Sequence, residues 1–167
     1  MKKIILLLAI IAFQVSTGYS QKITDGATID LDGLSVTFNI LNKESISVGN
    51  KNFDRYKVSA TLVNNTGKNL GFRLNSYPQI VSNTELVELN CVNATGARQT
   101  SKRLKLKLNT HFVQATYSAM NKDGKLQNNI LTVTAGYYLD NGASVKDEAI
   151  FIVPEGEEPN VTVRKTM

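Results

Sequence analysis

The stretch YKVSATLVNNTGKNLGFRL, residues 56–74, decides how this chain folds. Tyr56, Val58, Ala60 and Leu62 are apolar, and Lys57, Ser59 and Thr61 between them are polar. Successive strand residues point to opposite faces, so a period of two makes one buried and one wet face. The run then meets Asn65-Thr66-Gly67-Lys68, residue types that tolerate positive φ and end strands in turns.

The same period recurs outward in both directions. Leu34, Val36, Phe38 and Ile40 alternate with Ser35, Thr37 and Asn39, and Leu104, Leu106 and Leu108 alternate with Arg103, Lys105 and Lys107. Residues 130–139 place Leu131, Val133, Ala135, Tyr137 and Leu139 on one expected face. Residues 145–153 end apolar enough to be covered on both sides. Turn chemistry lies between the runs at Asp25-Gly26, Asp32-Gly33, Asp123-Gly124 and Asn141-Gly142. Two hairpins are expected: 110–120 with 130–139 across residues 121–125, and 130–139 with 145–153 across residues 140–143. The acidic, proline-broken stretch 154–159 reads as a loop before a short strand at residues 160–164, with a frayed tail as the alternative. No capped helical run occurs after residue 20, and short strands at regular spacing predict an all-β antiparallel sandwich.

The strand and polar turn of residues 56–74 resemble the central strand and turn of bacterial immunoglobulin-like sandwich domains. The resemblance is confined to these residues and implies architecture alone, an immunoglobulin-like β-sandwich, because one fold hosts many functions. With no Trp and one Cys, the chain lacks the Cys…Trp…Cys spacing of antibody domains.

Residues 1–20, MKKIILLLAIIAFQVSTGYS, have the form of a secretory leader. Lys2 and Lys3 make a basic start, Ile4 to Phe13 an apolar segment, and Gly18 and Ser20 a small-residue cleavage site. Cleavage after Ser20 would start the mature chain at Gln21. The apolar run is shorter than the roughly 20 residues of a membrane span, which disfavours an uncleaved anchor. The expectation is export to the periplasm or the extracellular space, followed by one domain over residues 21–167. That leaves 147 of 167 residues, enough for one domain with its own core. The leader takes two of the 19 basic residues, leaving 17 against 14 acidic ones, a net charge of +3. So small an excess, with no block of like charge, gives little ground for a nucleic-acid partner.

Candidate chemistry is sparse. His111 is the sole histidine and Cys91 the sole cysteine, and no HExxH, GxSxG or SxxK pattern is present. No catalytic residue, metal set or cofactor is expected. Cys91 reads as a small buried hydrophobe, with a reactive or dimer-forming thiol as the alternative. Asp30, Asp32, Asp123 and Asp140 read as turn acids. Asn64, Asn93 and Asn160 fit Asn-x-Ser/Thr but read as turn asparagines in a bacterial type of exported chain. Arg103, Lys105 and Lys107 share a face. They form either an anion-binding row or a charged guard on an exposed strand edge, and the guard needs no partner. Phe72 and Tyr77 are the aromatic candidates for a binding contact.

These readings lead to an exported, non-enzymatic protein that acts by surface binding, in adhesion, envelope assembly or an accessory role. Its partner would be another envelope or secreted protein, or an anionic glycan. The alternatives are a secreted hydrolase with dispersed acids and an inhibitor of a secreted enzyme.

Overall fold

The computed structural model describes residues 20–75, 81 and 83–167, and these contain strands and no helix. Residues 1–19, which hold most of the expected leader, and Tyr77 lie outside the described residues. Eleven strands run in chain order: β1 Gln21–Ile23, β2 Thr28–Asp30, β3 Leu34–Val48, β4 Lys51–Asn64, β5 Leu70–Arg73, β6 Glu85–Val92, β7 Arg98–Lys107, β8 Asn109–Met120, β9 Leu126–Leu139, β10 Ser144–Pro154 and β11 Asn160–Lys165. They form three antiparallel sheets, ordered β1-β11-β6-β7, β10-β4-β3-β2 and β5-β9-β8.

The alternation read from the sequence becomes the core. Leu34, Val36 and Phe38 of β3, Tyr56, Val58, Ala60 and Leu62 of β4, and Phe151 and Val153 of β10 come from one four-stranded sheet. Val87, Leu89 and Cys91 of β6, Leu104 and Leu106 of β7, and Val161 and Val163 of β11 come from the other. All belong to one buried cluster, so two half-wet sheets close on each other in a sandwich-like arrangement. The expected terminal strand forms as β11, between β1 and β6.

Three loops share one device, written in the sequence as Asn-x-Thr/Asp-Gly. The Oδ1 atoms of Asn64, Asn93 and Asn121 accept from the backbone amides of Thr66, Thr95 and Asp123 at 3.2, 3.1 and 3.0 Å. The asparagine thus closes its own turn. Asn64 does more. It is fully buried, and its Nδ2 donates to the carbonyls of Lys68 at 2.8 Å and Leu139 at 3.0 Å. Its backbone pairs with Gly142 and Ala143 beyond the end of β9. One side chain therefore joins the end of β4, the following loop and the end of β9.

That junction corrects one expected hairpin. Residues 130–139 and 145–153 do turn at residues 140–143, but β9 and β10 do not pair. The chain changes sheets there, β9 lying between β5 and β8 while β10 pairs with β4 along its whole length. The hairpin of β8 with β9 forms as expected across residues 121–125. Two expectations about faces also change. A register shift at His111/Phe112 interrupts the alternation of β9, and before it in the chain both faces of β9 are open, Ile130 being 70 % and Leu131 44 % exposed while Leu139 is buried. In β10 only the inner face is covered, since Ile152 is exposed beside buried Phe151 and Val153.

Gly71 permits β5 to reach β9. Its φ is 134°, and a Cβ there would collide with the Tyr137 carbonyl and Tyr138.

Replacing Asn64 by Ala would take the side-chain partner from the Leu139 carbonyl and from the turn amide of Thr66, and leave the Lys68 carbonyl to Thr66 Oγ1 alone. We expect Asn64→Ala to lower stability by about 2–4 kcal/mol, at about 1–3 kcal/mol for each buried group left unsatisfied. Urea unfolding of wild type and variant checks this value.

Candidate functional site

The basic row is real in geometry and largely spent in electrostatics. Arg103, Lys105 and Lys107 lie on β7, an edge strand, and line an open polar groove of about 600 Å³ with Asn109, Ser144 and Lys146. Arg103 donates to both carboxylate oxygens of Glu88 at 3.2 Å, and Lys105 reaches Glu85 at 2.6 Å. Both acceptors stand on β6, the neighbouring strand. Lys146 is held by Glu148 at 3.0 Å, and Asp147 accepts the Lys105 amide at 3.1 Å. Lys107 alone of the row has no ion pair among the described residues. A row with two of its three charges paired to the adjacent strand attracts a polyanion weakly, yet it still blocks edge-on pairing.

Glu88 anchors this arrangement. It is 4 % exposed and lies between Arg103 on β7 and Arg164 on β11, the latter at 3.6 Å. Burial pushes its carboxyl up, but the Asn90 hydrogen bond and the two guanidinium groups outweigh that and hold it below the ordinary glutamate value. Asp54, also buried, accepts from Ser45 at 3.0 Å and the Gly156 amide at 2.8 Å and pairs with Lys43 at 2.8 Å. The Lys43 and Gly156 contacts lead in holding its carboxyl low.

The other residues singled out from sequence are dispersed. Phe72 is half-buried on β5, its ring 5.6 Å from that of Tyr137, and it packs against the core. His111 is on β8 and stacks edge-on against Tyr138 at 6.1 Å. Cys91 is buried in β6 as expected, with Gln99 Oε1 at 3.8 Å, and burial pushes its thiol up to about 11. No hydrogen bond joins it to His111. Asp30 closes its turn by accepting the Gly33 amide at 2.9 Å, and Asp32 pairs with Lys165 at 2.9 Å. Among the described residues no three His, Cys, Asp or Glu side chains converge in a group able to hold a metal.

Among the described residues, large exposed apolar side chains gather on the β8–β9 hairpin. Phe112, Val113, Tyr117 and Met120 on β8, and Leu126, Ile130 and Leu131 on β9, are exposed by 40–74 %. Directly opposed residues share a face, so Val113, Leu131 and Tyr117 lie on one side and Phe112, Ile130, Met120 and Leu126 on the other. Neither strand contains Asp, Glu, Lys or Arg, and the charges of the hairpin sit in its turn at Lys122, Asp123 and Lys125. Sequence reasoning found these strands but not their exposure. A signal was present, since apolar residues fall on both parities of residues 112–120, which a half-buried strand does not need. A second apolar surface, a groove of about 640 Å³, is lined by Phe53, Ile150, Ile152 and Pro154, with Arg55 and Lys102 among its other residues. Comparison of the chain with family models, curated proteins and solved structures finds no match.

The lowered Glu88 pKa has a sign that can be tested. Its stabilisation is complete above the ordinary value of 4.5 and is lost as pH falls through the lower folded-state value. We expect Glu88→Gln to cost about 1–2 kcal/mol at neutral pH. The difference from wild type should vanish in acid, as denaturant melts across a pH series would show.

Proposed function

We propose that this chain is an exported, non-enzymatic protein with an immunoglobulin-like sandwich that acts by binding through the β8–β9 hairpin. The observation that carries the proposal is the set of seven large apolar side chains standing exposed on both faces of an uncharged two-stranded arm. Exposed apolar surface costs solubility, and contiguous patches of it mark interaction sites. The leader-like residues 1–20 support export after cleavage at Ser20, and two packed four-stranded sheets support the sandwich class. Partners suited to such a surface are envelope or secreted proteins, with tyrosine and phenylalanine as the anchoring side chains.

The test compares mature wild type with the variant Phe112→Ser, Tyr117→Ser, Ile130→Ser, both immobilised and exposed to envelope and secreted fractions of the source cells. Wild type should retain a defined protein that the variant retains at least about tenfold less, while melting stays within about 0.5 kcal/mol because these positions are on the surface. Equal retention by both, or none by wild type, would overturn the hairpin as the contact surface.

A further inference from the structure

The two four-stranded sheets meet along a seam where β7, the edge of one, runs beside β10, the edge of the other, and the Lys105 amide donates to Asp147 across it. Toward the start of β7 the strand leaves its ladder with β6. Between the pairs Arg98 with Val92 and Arg103 with Asn90, β7 has four residues and β6 has one. A bulge re-aims the side chains it carries, and bulges are frequent at sheet edges and beside functional sites. Here Thr100 Oγ1 donates to the Lys102 carbonyl at 2.9 Å, and Gln99 Nε2 donates to Glu157 Oε2 at 3.4 Å. Gln99, Thr100 and Lys102 thereby line the groove of about 640 Å³ from the side of β7. β4 and β10 line the rest. The pairing of Pro154 with Phe53 and of Ile152 with Arg55 sets these four residues on one face, where Ile152 is 41 % exposed.

The charge of this lining has one sign. Among the described residues, Arg55 and Lys102 are the only charged side chains that line the groove, and no carboxylate does. Arg55 shares an exposed ion pair with Glu44 at 3.2 Å and keeps further guanidinium donors for another acceptor. Lys102 has no ion pair among the described residues. We propose that the groove binds one amphipathic anion, a fatty-acid carboxylate, with its alkyl chain on Phe53, Ile150, Ile152 and Pro154 and its carboxylate toward Arg55 and Lys102. The paired cations select an anionic head over a neutral or cationic one, since an arginine fork matches a carboxylate. The apolar floor selects an alkyl chain over a sugar or a free phosphate, whose polar groups it would leave unpaired. Small-molecule sites are concave, mostly apolar, carry a few placed polar groups and span roughly 300–1,000 Å³, which suits a single chain and not a bilayer face. None of the lining residues belongs to β8 or β9, so the groove stands or falls independently of the hairpin.

Titration calorimetry of the purified protein with laurate, kept below its micelle concentration, tests the proposal. Wild type should bind one laurate saturably. It should bind dodecyltrimethylammonium, the same chain with a cationic head, at least about tenfold more weakly, because two partly exposed cations attract one head and repel the other. Lys102→Glu should weaken laurate on the order of tenfold and strengthen the cationic ligand, a reversal that a misfolded variant would not give. Ile152→Ser should weaken both ligands on the order of tenfold through lost apolar contact. In amide spectra by NMR, laurate should shift residues 99–102 and 150–154. Absent or non-saturating binding, equal affinity for the two head groups, or a Lys102→Glu variant that binds as wild type does would each overturn the groove as a fatty-acid site. So would shifts concentrated at residues 112–131, which would place the chain on the hairpin. Binding to phosphatidylglycerol vesicles without binding to laurate would also overturn it and assign the cations to a membrane surface.

Discussion

The buried amide of Asn64 is the constraint on which the rest of the structure depends. It stands where the two sheet systems meet, holding the Lys68 and Leu139 carbonyls while its own oxygen closes the turn at Thr66. A buried amide is tolerated only when its donors and acceptor are matched, so the three segments around it have little freedom to move independently. With Leu139 pinned, β9 begins to leave the core at its C-terminal end, and the chain crosses at residues 140–143 into β10 of a different sheet. The far end of β9, with β8 beside it, is left outside the sandwich. The exposed arm is thus a consequence of how the junction is tied.

Electrostatics divides the surface into a guarded and an unguarded part. On the sandwich, acids and bases are matched across neighbouring strands, Glu88 with Arg103 and Arg164, Glu85 with Lys105, and Glu148 with Lys57 and Lys146. Such pairing does little for stability when exposed, but it leaves β7 and β10 as poor templates for another strand. On the hairpin the pattern reverses, with apolar side chains on both faces and no charge along either strand. The basic row stood out in the sequence because charge is visible there, whereas its neutralisation by β6 depends on strand order.

The strands, the turns and most of the core were legible in the sequence, because period two and Asn/Asp-Gly chemistry are local properties. Leu104, Leu106 and Leu108 are buried as their alternation requires, and Cys91 is buried as a small hydrophobe. What was not legible was pairing across sheets. Asp140-Asn141-Gly142-Ala143 signals a reversal of direction, and a reversal serves a hairpin and a change of sheet equally well. Asn64 read as a turn residue, which it is, but its burial and its reach to Leu139 are tertiary facts. The exposure of Phe112, Tyr117 and Ile130 escaped for the same reason. Strand residues of that type are ordinarily covered, and only the topology decides that none of the described residues covers these.

The sandwich forms the stable body, and the β8–β9 arm extends from it uncovered by the other described residues. A two-stranded ribbon without a packed face is marginally stable, so its hydrogen bonds should open far more readily than those of the core. Amide hydrogen exchange of the protein tests this most directly. Amides of β4 and β6 should exchange only through near-global unfolding, while those of residues 112–118 should exchange orders of magnitude faster. Protection across residues 112–118 equal to that of β4 would contradict it, because it would place the hairpin inside the cooperative core.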